Sequence, residues 1–238
     1  MQTYIIIPTY NEAENLPNLL KEIFALPVEA GVINVDDGSP DGTGDIAEEW
    51  AAACPGRMAI VHRPGKLGLG TAYLAGFRRA FELGAGSVLT MDADFSHNPR
   101  YIPAMLAKGQ EADLVIGSRY VPGGDMLYCP WYRKLLSGGA NLIAHFALGL
   151  EARDTTAGFR LYRREVLESI DLNGIFSSGY SFLIEMLYLV QRKGWRVAEV
   201  PIVYEDRMAG QTKISRAEIM RALYTVARLS ARRFVKRR

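Results

Sequence analysis

The chain has 238 residues, 49% of them hydrophobic, and a net charge of +2, so it can bury a substantial core and is not a polyelectrolyte of the nucleic-acid-binding kind. Its two cysteines, Cys54 and Cys129, stand far apart and its three histidines are scattered. That pattern argues against a disulfide framework or a zinc site, and for free thiols in a reducing cytoplasm. The chain opens Met-Gln-Thr-Tyr with no signal-like segment, and no apolar run reaches the roughly 18 residues of a bilayer span, so the expectation is a protein that is soluble or lies on a membrane surface.

The first half alternates strand and helix. Residues 4–7 predict a buried strand ended by Pro8. Leu16, Leu19, Leu20, Ile23 and Phe24 recur at helical spacing behind Asn15, a candidate N-cap, with Pro17 in the first turn. Residues 32–35 predict a second strand, 45–53 a second helix and 59–61 a third strand. A helix over 71–83 carries Tyr73, Leu74, Phe77, Ala80 and Phe81 on one face, and a fourth strand follows over 88–91. A helix after Pro99 and a fifth strand over 114–116 complete a pattern that predicts a doubly wound, mostly parallel sheet. The second half is less regular. It predicts helices over 135–150 and 182–191, a strand within 195–203, and a final helix over 215–235. Lys213 to Arg238 holds nine Lys or Arg against the single acid Glu218.

Polar residues cluster where four of these strands end, the edge at which open α/β sheets bind ligands. Strand one leads into Pro8-Thr9-Tyr10-Asn11-Glu12, strand two into Asp36-Asp37-Gly38-Ser39-Pro40-Asp41-Gly42-Thr43, strand four into Asp92-Ala93-Asp94, and strand five into Gly117-Ser118-Arg119-Tyr120. Turn chemistry accounts for the glycines and Pro40 but not for two consecutive acids at a strand end. Asp92 and Asp94, two positions apart, can converge on one side. Such a pair of hard oxygen ligands suits Mg²⁺ or Mn²⁺, which then carries phosphate oxygens as further ligands. Gly65-Lys66-Leu67-Gly68-Leu69-Gly70 matches neither a dinucleotide fingerprint nor a P-loop, although Lys66 near a helix start is a weak anion signal.

Together these residues resemble the family-2 glycosyltransferases, and among them the dolichyl- or polyprenyl-phosphate mannosyltransferases. The likeness runs through residues 7–12, 35–43, 66–73, 91–94 and 117–120 and continues through 154–160, 179–182 and 206–213. It implies the A-type glycosyltransferase fold, a GDP-mannose donor, a polyprenyl or dolichyl phosphate acceptor, and Mg²⁺ or Mn²⁺. It divides the chain into a catalytic domain over 1–212, with a nucleotide-binding half to 120 and an acceptor half after it, and a basic amphipathic helix over 213–238. Carried over by position, Pro8, Tyr10, Glu12, Val35 and Asp37 would hold the nucleoside. Asp92, Ala93, Asp94, Ser96 and Arg119 would surround the diphosphate, with Asp92, Asp94 and Ser96 on the metal. Arg133, Arg207 and Lys213 would face the acceptor phosphate, and Asp94, Arg119, Arg207 and Lys213 would carry catalysis. Three positions depart from the common pattern: Ser96 where members often have Gln, Ser178 where many have a basic residue, and Gly-Gln-Thr-Lys where Gly-x-Ser-Lys is more usual.

The resemblance further implies single displacement with inversion at the anomeric carbon. Many relatives carry membrane-spanning helices. Here the helix over 215–235 and the segment 135–150 behind Arg133-Lys134 are the candidates for contact with a membrane surface or lipid. For the C-terminal helix the alternative is packing on the domain. The expected place of action is the cytoplasmic face of a membrane, with room for a membrane-anchoring protein partner and no role for nucleic acid. Within the family the competing reading is glucose transfer from UDP-glucose, or another sugar nucleotide on the same fold. A nucleotidyltransferase, an Asp-x-Asp phosphatase and a non-catalytic binding module fit the motif order less well.

Overall fold

The computed structural model describes residues 2–205 and 216–235. Its centre is a seven-stranded sheet in the order β3-β2-β1-β4-β7-β5-β8. The strands are β1 (Thr3–Thr9), β2 (Ala30–Asp36), β3 (Met58–His62), β4 (Ser87–Thr90), β5 (Leu114–Ser118), β7 (Arg160–Arg163) and β8 (Val197–Pro201). All neighbours are parallel except β7, which runs antiparallel to both β4 and β5. A separate two-stranded parallel ribbon joins β6 (Asp125–Leu127) to β9 (Val203–Glu205). The expected mixed α/β architecture with a mostly parallel sheet is therefore present.

Helices α1 (Leu16–Ala25), α2 (Thr43–Ala53), α3 (Leu69–Glu82) and α4 (Ile102–Lys108) cross over between the parallel strands. α5 (Trp131–Leu148), the short α6 (Arg164–Glu168), α7 (Ser181–Arg192) and α8 (Arg216–Val235) belong to the second half. Strand alternation sorts the core into two layers. Ile6, Val35, Val88 and Leu114 join Tyr73 and Phe77 of α3 and Phe182 of α7 on one face. Ile5, Ile7, Val32 and Val115 join Leu16, Leu19 and Leu20 of α1 on the other. Both faces being covered, these strands are apolar almost throughout.

Local details differ from the sequence reading. Asn15 precedes α1 but makes no side-chain cap, because its amide donates instead to Glu12 at 2.8 Å. β7 was not anticipated, and its opening residue Arg160 is fully buried. That guanidinium is satisfied by the carbonyls of Ala157, Leu183 and Thr155 at 2.7, 2.7 and 2.8 Å, so it ties the loop ahead of β7 to α7. α8 packs on the domain through Thr225, Val226 and Leu229, whereas Leu223 is exposed.

Candidate active site

The carboxyl ends of β1, β2 and β4 meet on one edge. Three aspartates of the β2–α2 turn divide the work there. Asp36 accepts from the Ser39 amide at 3.0 Å and the Ser39 hydroxyl at 2.5 Å. Asp41 accepts from the Thr43 hydroxyl at 2.6 Å and the Ala13 amide at 3.0 Å, which clamps the β1–α1 loop to the turn. Asp37 does neither. Its buried carboxylate takes a 2.7 Å ion pair from Arg63, whose other terminal nitrogen donates to Thr71 at 2.6 Å. Burial pushes the Asp37 carboxyl up more than Arg63 pulls it down. Tyr10 is partly exposed beside it, with Lys66 Nζ 4.7 Å from its ring centroid. Glu12 is buried, and its amide donates to Thr43. Pro8 pairs with Val35 across the sheet. Val35 is buried in the core, so it can offer a ligand its main chain alone.

Past β4, Met91 and Ala93 are buried in the core, while Asp92 and Asp94 between and beyond them are partly exposed. The backbone turns sharply at Phe95, which adopts the left-handed conformation with φ 62°. That turn returns Ser96 to Asp94, and the Ser96 hydroxyl donates to Asp94 Oδ1 at 2.5 Å with its amide at 3.2 Å. Ser96, expected as a third metal ligand, thus holds the Asp94 carboxylate and is also hydrogen-bonded with Tyr204. The Asp92 amide donates to His97 Nδ1 at 2.9 Å, and the His97 ring stacks on Phe159. His97 is buried and serves as an anchor for the turn.

A small cleft opens beside Asp92. Its lining includes Asp92, His97, Arg119, Thr156, Gly158, Tyr180 and Tyr204. Both tyrosine phenols are pushed up, first by burial and then by the negative charge of Asp92 and Asp94, Tyr204 to about 12. The charge of both carboxylates therefore reaches these two phenols. Across the cleft Arg119 donates from Nε and Nη2 to the two oxygens of Asp154, each at 2.7 Å, and from Nη2 to Thr156 at 2.9 Å. Burial alone would push the Asp154 carboxyl up, but the charge and hydrogen bonds of Arg119, with Arg160 behind, leave it below its ordinary value. The loop carrying Asp154 is itself held by Glu199 of β8, which accepts from the Arg153 and Asp154 amides, and by Asn141 of α5, which accepts from Thr155.

Of the residues that sequence reasoning placed in the site, Asp92 and Arg119 line this cleft, while Asp94 lies beyond Asp92 with Ser96 bonded to it. That reasoning overlooked Arg63, Asp154, Thr156, Tyr180 and Tyr204. Residues 206–215, with Arg207 and Lys213, lie outside the described residues, as does the side chain of Arg133 at the start of α5.

α5 is inverted relative to an ordinary surface helix. Its polar residues Ser137 and Asn141 face the domain, hydrogen-bonding Tyr120 and Thr155. Trp131, Leu135 and Phe146 are 74, 66 and 71% exposed, and Tyr132, Leu136, Leu142 and Ile143 are exposed beside them on the same side of the helix. No helix among the described residues is long and apolar enough to cross a membrane.

A mostly parallel α/β sheet with paired acids after β4 and one antiparallel strand beside them is the A-type glycosyltransferase fold. Glucosyl-3-phosphoglycerate synthase of Mycobacterium tuberculosis, solved with Mn²⁺, UDP and its product, superposes with a TM-score of 0.66 at 20% identity, covering 97% of this chain and 79% of that one. S. aureus TarS with UDP-GlcNAc gives 0.63 at 16% identity, covering 96% and 66%. At these identities the likeness speaks for the fold alone. Residues 4–171 match the family model described as Glycosyl transferase family 2, and the chain belongs to that family. It is 47% identical over 227 residues to the polyprenol monophosphomannose synthase of Mycolicibacterium smegmatis, covering 95% of this chain and 86% of that protein. It is 45% identical over 228 residues to the undecaprenyl-phosphate mannosyltransferase of Micrococcus luteus, covering 96% and 93%. The protein is a glycosyltransferase.

Proposed function

We propose that this enzyme transfers mannose from GDP-mannose to the phosphate of a polyprenyl lipid, at the cytoplasmic face of a membrane. The observation that carries the reading is the near-full-length identity of 45–47% to two proteins named for mannose transfer to lipid phosphates. The outward apolar face of α5 supports it independently, because a large exposed apolar patch marks a contact surface and a lipid acceptor requires one.

The donor's nucleoside would lie over Tyr10 and Lys66, with Asp37 held toward it by Arg63. The residues present fit a divalent cation. Asp92 and Asp94 stand two positions apart at the end of β4, Ser96 orients one of them, and Gly158 keeps the wall beside Asp92 open. Among the described residues no cluster of three or more His, Cys, Asp or Glu gathers, so diphosphate and water oxygens would complete the shell around Asp92 and Asp94. Bound there, Mg²⁺ or Mn²⁺ would spread the charge developing on the departing diphosphate.

A lipid phosphate has a second pKa of about 6 and is largely dianionic at neutral pH, so it can attack without a strong general base. His97 is engaged at Nδ1 by the Asp92 amide and needs no such role. Arg119, its charge balanced and its orientation fixed by Asp154, lines the cleft and is proposed to present its guanidinium to the anionic substrates. Arg207 and Lys213 are proposed to add further positive charge from the acceptor side. The test is nucleoside diphosphate release from GDP-mannose and UDP-glucose, with and without a short-chain polyprenyl phosphate and Mn²⁺. GDP release that rises at least about tenfold with the lipid supports the reading, since one decade is about 1.4 kcal/mol of barrier. UDP release with GDP-mannose inert would move the assignment to glucose transfer.

A further inference from the structure

Tyr73 is the feature of the site that the fold leaves unexplained. It sits on α3 with its ring stacked between Phe77 and Phe182, at centroid distances of 6.4 and 6.2 Å, and is fully buried. Its hydroxyl is, among the described residues, the one buried side-chain polar atom without a hydrogen-bond partner. A buried orphan hydroxyl is destabilising, and native proteins rarely keep one without a use. A phenylalanine would fill the same volume at no such cost.

The hydroxyl points at the site. A Cβ on Gly158 would stand 3.3 Å from the Tyr73 hydroxyl, 3.4 Å from His97 Cε1 and 3.8 Å from Asp92 Oδ1. The missing side chain thus leaves a polar space shared by these three residues. Its floor is fixed, because the Gly158 carbonyl accepts from Thr90 at 2.6 Å. The space has polar neighbours, as a water site requires. The negative charge of Asp92 also reaches the phenol: after burial it is the largest influence pushing that group's pKa up.

We propose that Tyr73 is a positioning residue for Asp92: its hydroxyl donates, through one water seated over Gly158, to Asp92 Oδ1 and fixes the orientation in which that carboxylate receives a divalent cation. The proposal rests on the reading of Asp92 as a cation ligand. It explains why the hydroxyl is kept and why position 158 is glycine.

The experiment is a Mn²⁺ titration in the presence of GDP, with free Mn²⁺ read by electron paramagnetic resonance, alongside thermal melts without metal. The variants are Tyr73→Phe, Gly158→Ala, their combination, and Asp92→Asn. Tyr73→Phe is expected to weaken Mn²⁺ binding by about tenfold or more, the usual effect of losing a group that orients a metal ligand. Gly158→Ala, which fills the space, is expected to weaken it as well, and the double variant no further than the weaker single one. Without metal, Tyr73→Phe should melt at or above the wild-type temperature, because it removes an unpartnered buried hydroxyl. Wild-type Mn²⁺ affinity in Tyr73→Phe, with Asp92→Asn still losing the ion, would overturn the inference while leaving Asp92 as a ligand. A lower melting temperature of Tyr73→Phe without metal would also overturn it, by showing that the hydroxyl serves the fold. Undiminished Mn²⁺ binding by Asp92→Asn would remove the reading beneath both.

Discussion

Asp36, Asp37 and Asp41 are indistinguishable as letters in a turn sequence, yet only Asp37 is turned toward a cation rather than to local backbone. The same contrast separates Arg160, spent on backbone carbonyls, from Arg119, which lines the cleft. At this scale the Arg119–Asp154 pair makes a sharp prediction. Asp154 is fully buried, so Asp154→Ala leaves a largely buried guanidinium without its partner and should cost about 3–5 kcal/mol. The loss should appear as a lower midpoint in urea. The sign with pH follows from the depressed Asp154 carboxyl. Its contribution is present above the ordinary value of 3.8 and is lost as pH falls through the lower folded-state value. The wild-type minus Asp154→Ala difference in stability should therefore be flat from pH 7 to about 5 and shrink in more acidic buffer. A difference that instead grows on acidification would contradict the assigned ion pair.

Among the elements, α5 and α8 were both candidates for membrane contact, and α8 takes the alternative of packing on the domain. Arg228 and Arg232 of α8, whose basic face reads as membrane-seeking, bring their guanidinium carbons 4.1 and 5.4 Å from the ring centroid of Phe176. They thereby hold α8 against the loop that leads to Tyr180. α8 also donates from Ser230 to the Ala147 carbonyl of α5. On the proposed reading membrane contact would fall mainly to α5, where Trp131, Leu135, Leu142 and Phe146 stand exposed on one side. Replacing Trp131, Leu135 and Phe146 by Asp together should abolish co-sedimentation with anionic liposomes, since each large apolar side chain contributes roughly 1.5–3 kcal/mol when buried. The fold should survive, because none of the three lies in the core. Unchanged co-sedimentation of this variant would assign the surface to something other than lipid.

For the molecule as a whole, the alternation of apolar runs with helical periodicities was enough to read the sheet, because doubly covered parallel strands are apolar on both faces. The paired acids after β4 were legible for the same reason, since an abrupt polar step follows a buried run. β7 was not legible. Its Arg-Leu-Tyr-Arg carries charge at both ends, and a fully buried arginine is too rare to be assumed. Asp154, Tyr180 and Tyr204 were missed because their meaning lies in partners far away in sequence, such as Arg119, 35 positions from Asp154. The inversion of α5 was visible only once Asn141 was seen to bind Thr155 on the domain side.

The most direct test of the proposed activity is mass spectrometry of the lipid formed from GDP-mannose and a short-chain polyprenyl phosphate by the wild-type protein and by Asp94→Asn. The wild type should yield a lipid phosphate heavier by one hexose. Asp94→Asn, which keeps size but loses charge, should form it at least about a hundredfold more slowly, the scale of removing one electrostatic element of a transition state. Absence of any hexosylated lipid phosphate from the wild type, or equal rates for the two proteins, would contradict lipid-phosphate mannosylation at the Asp92–Asp94 site.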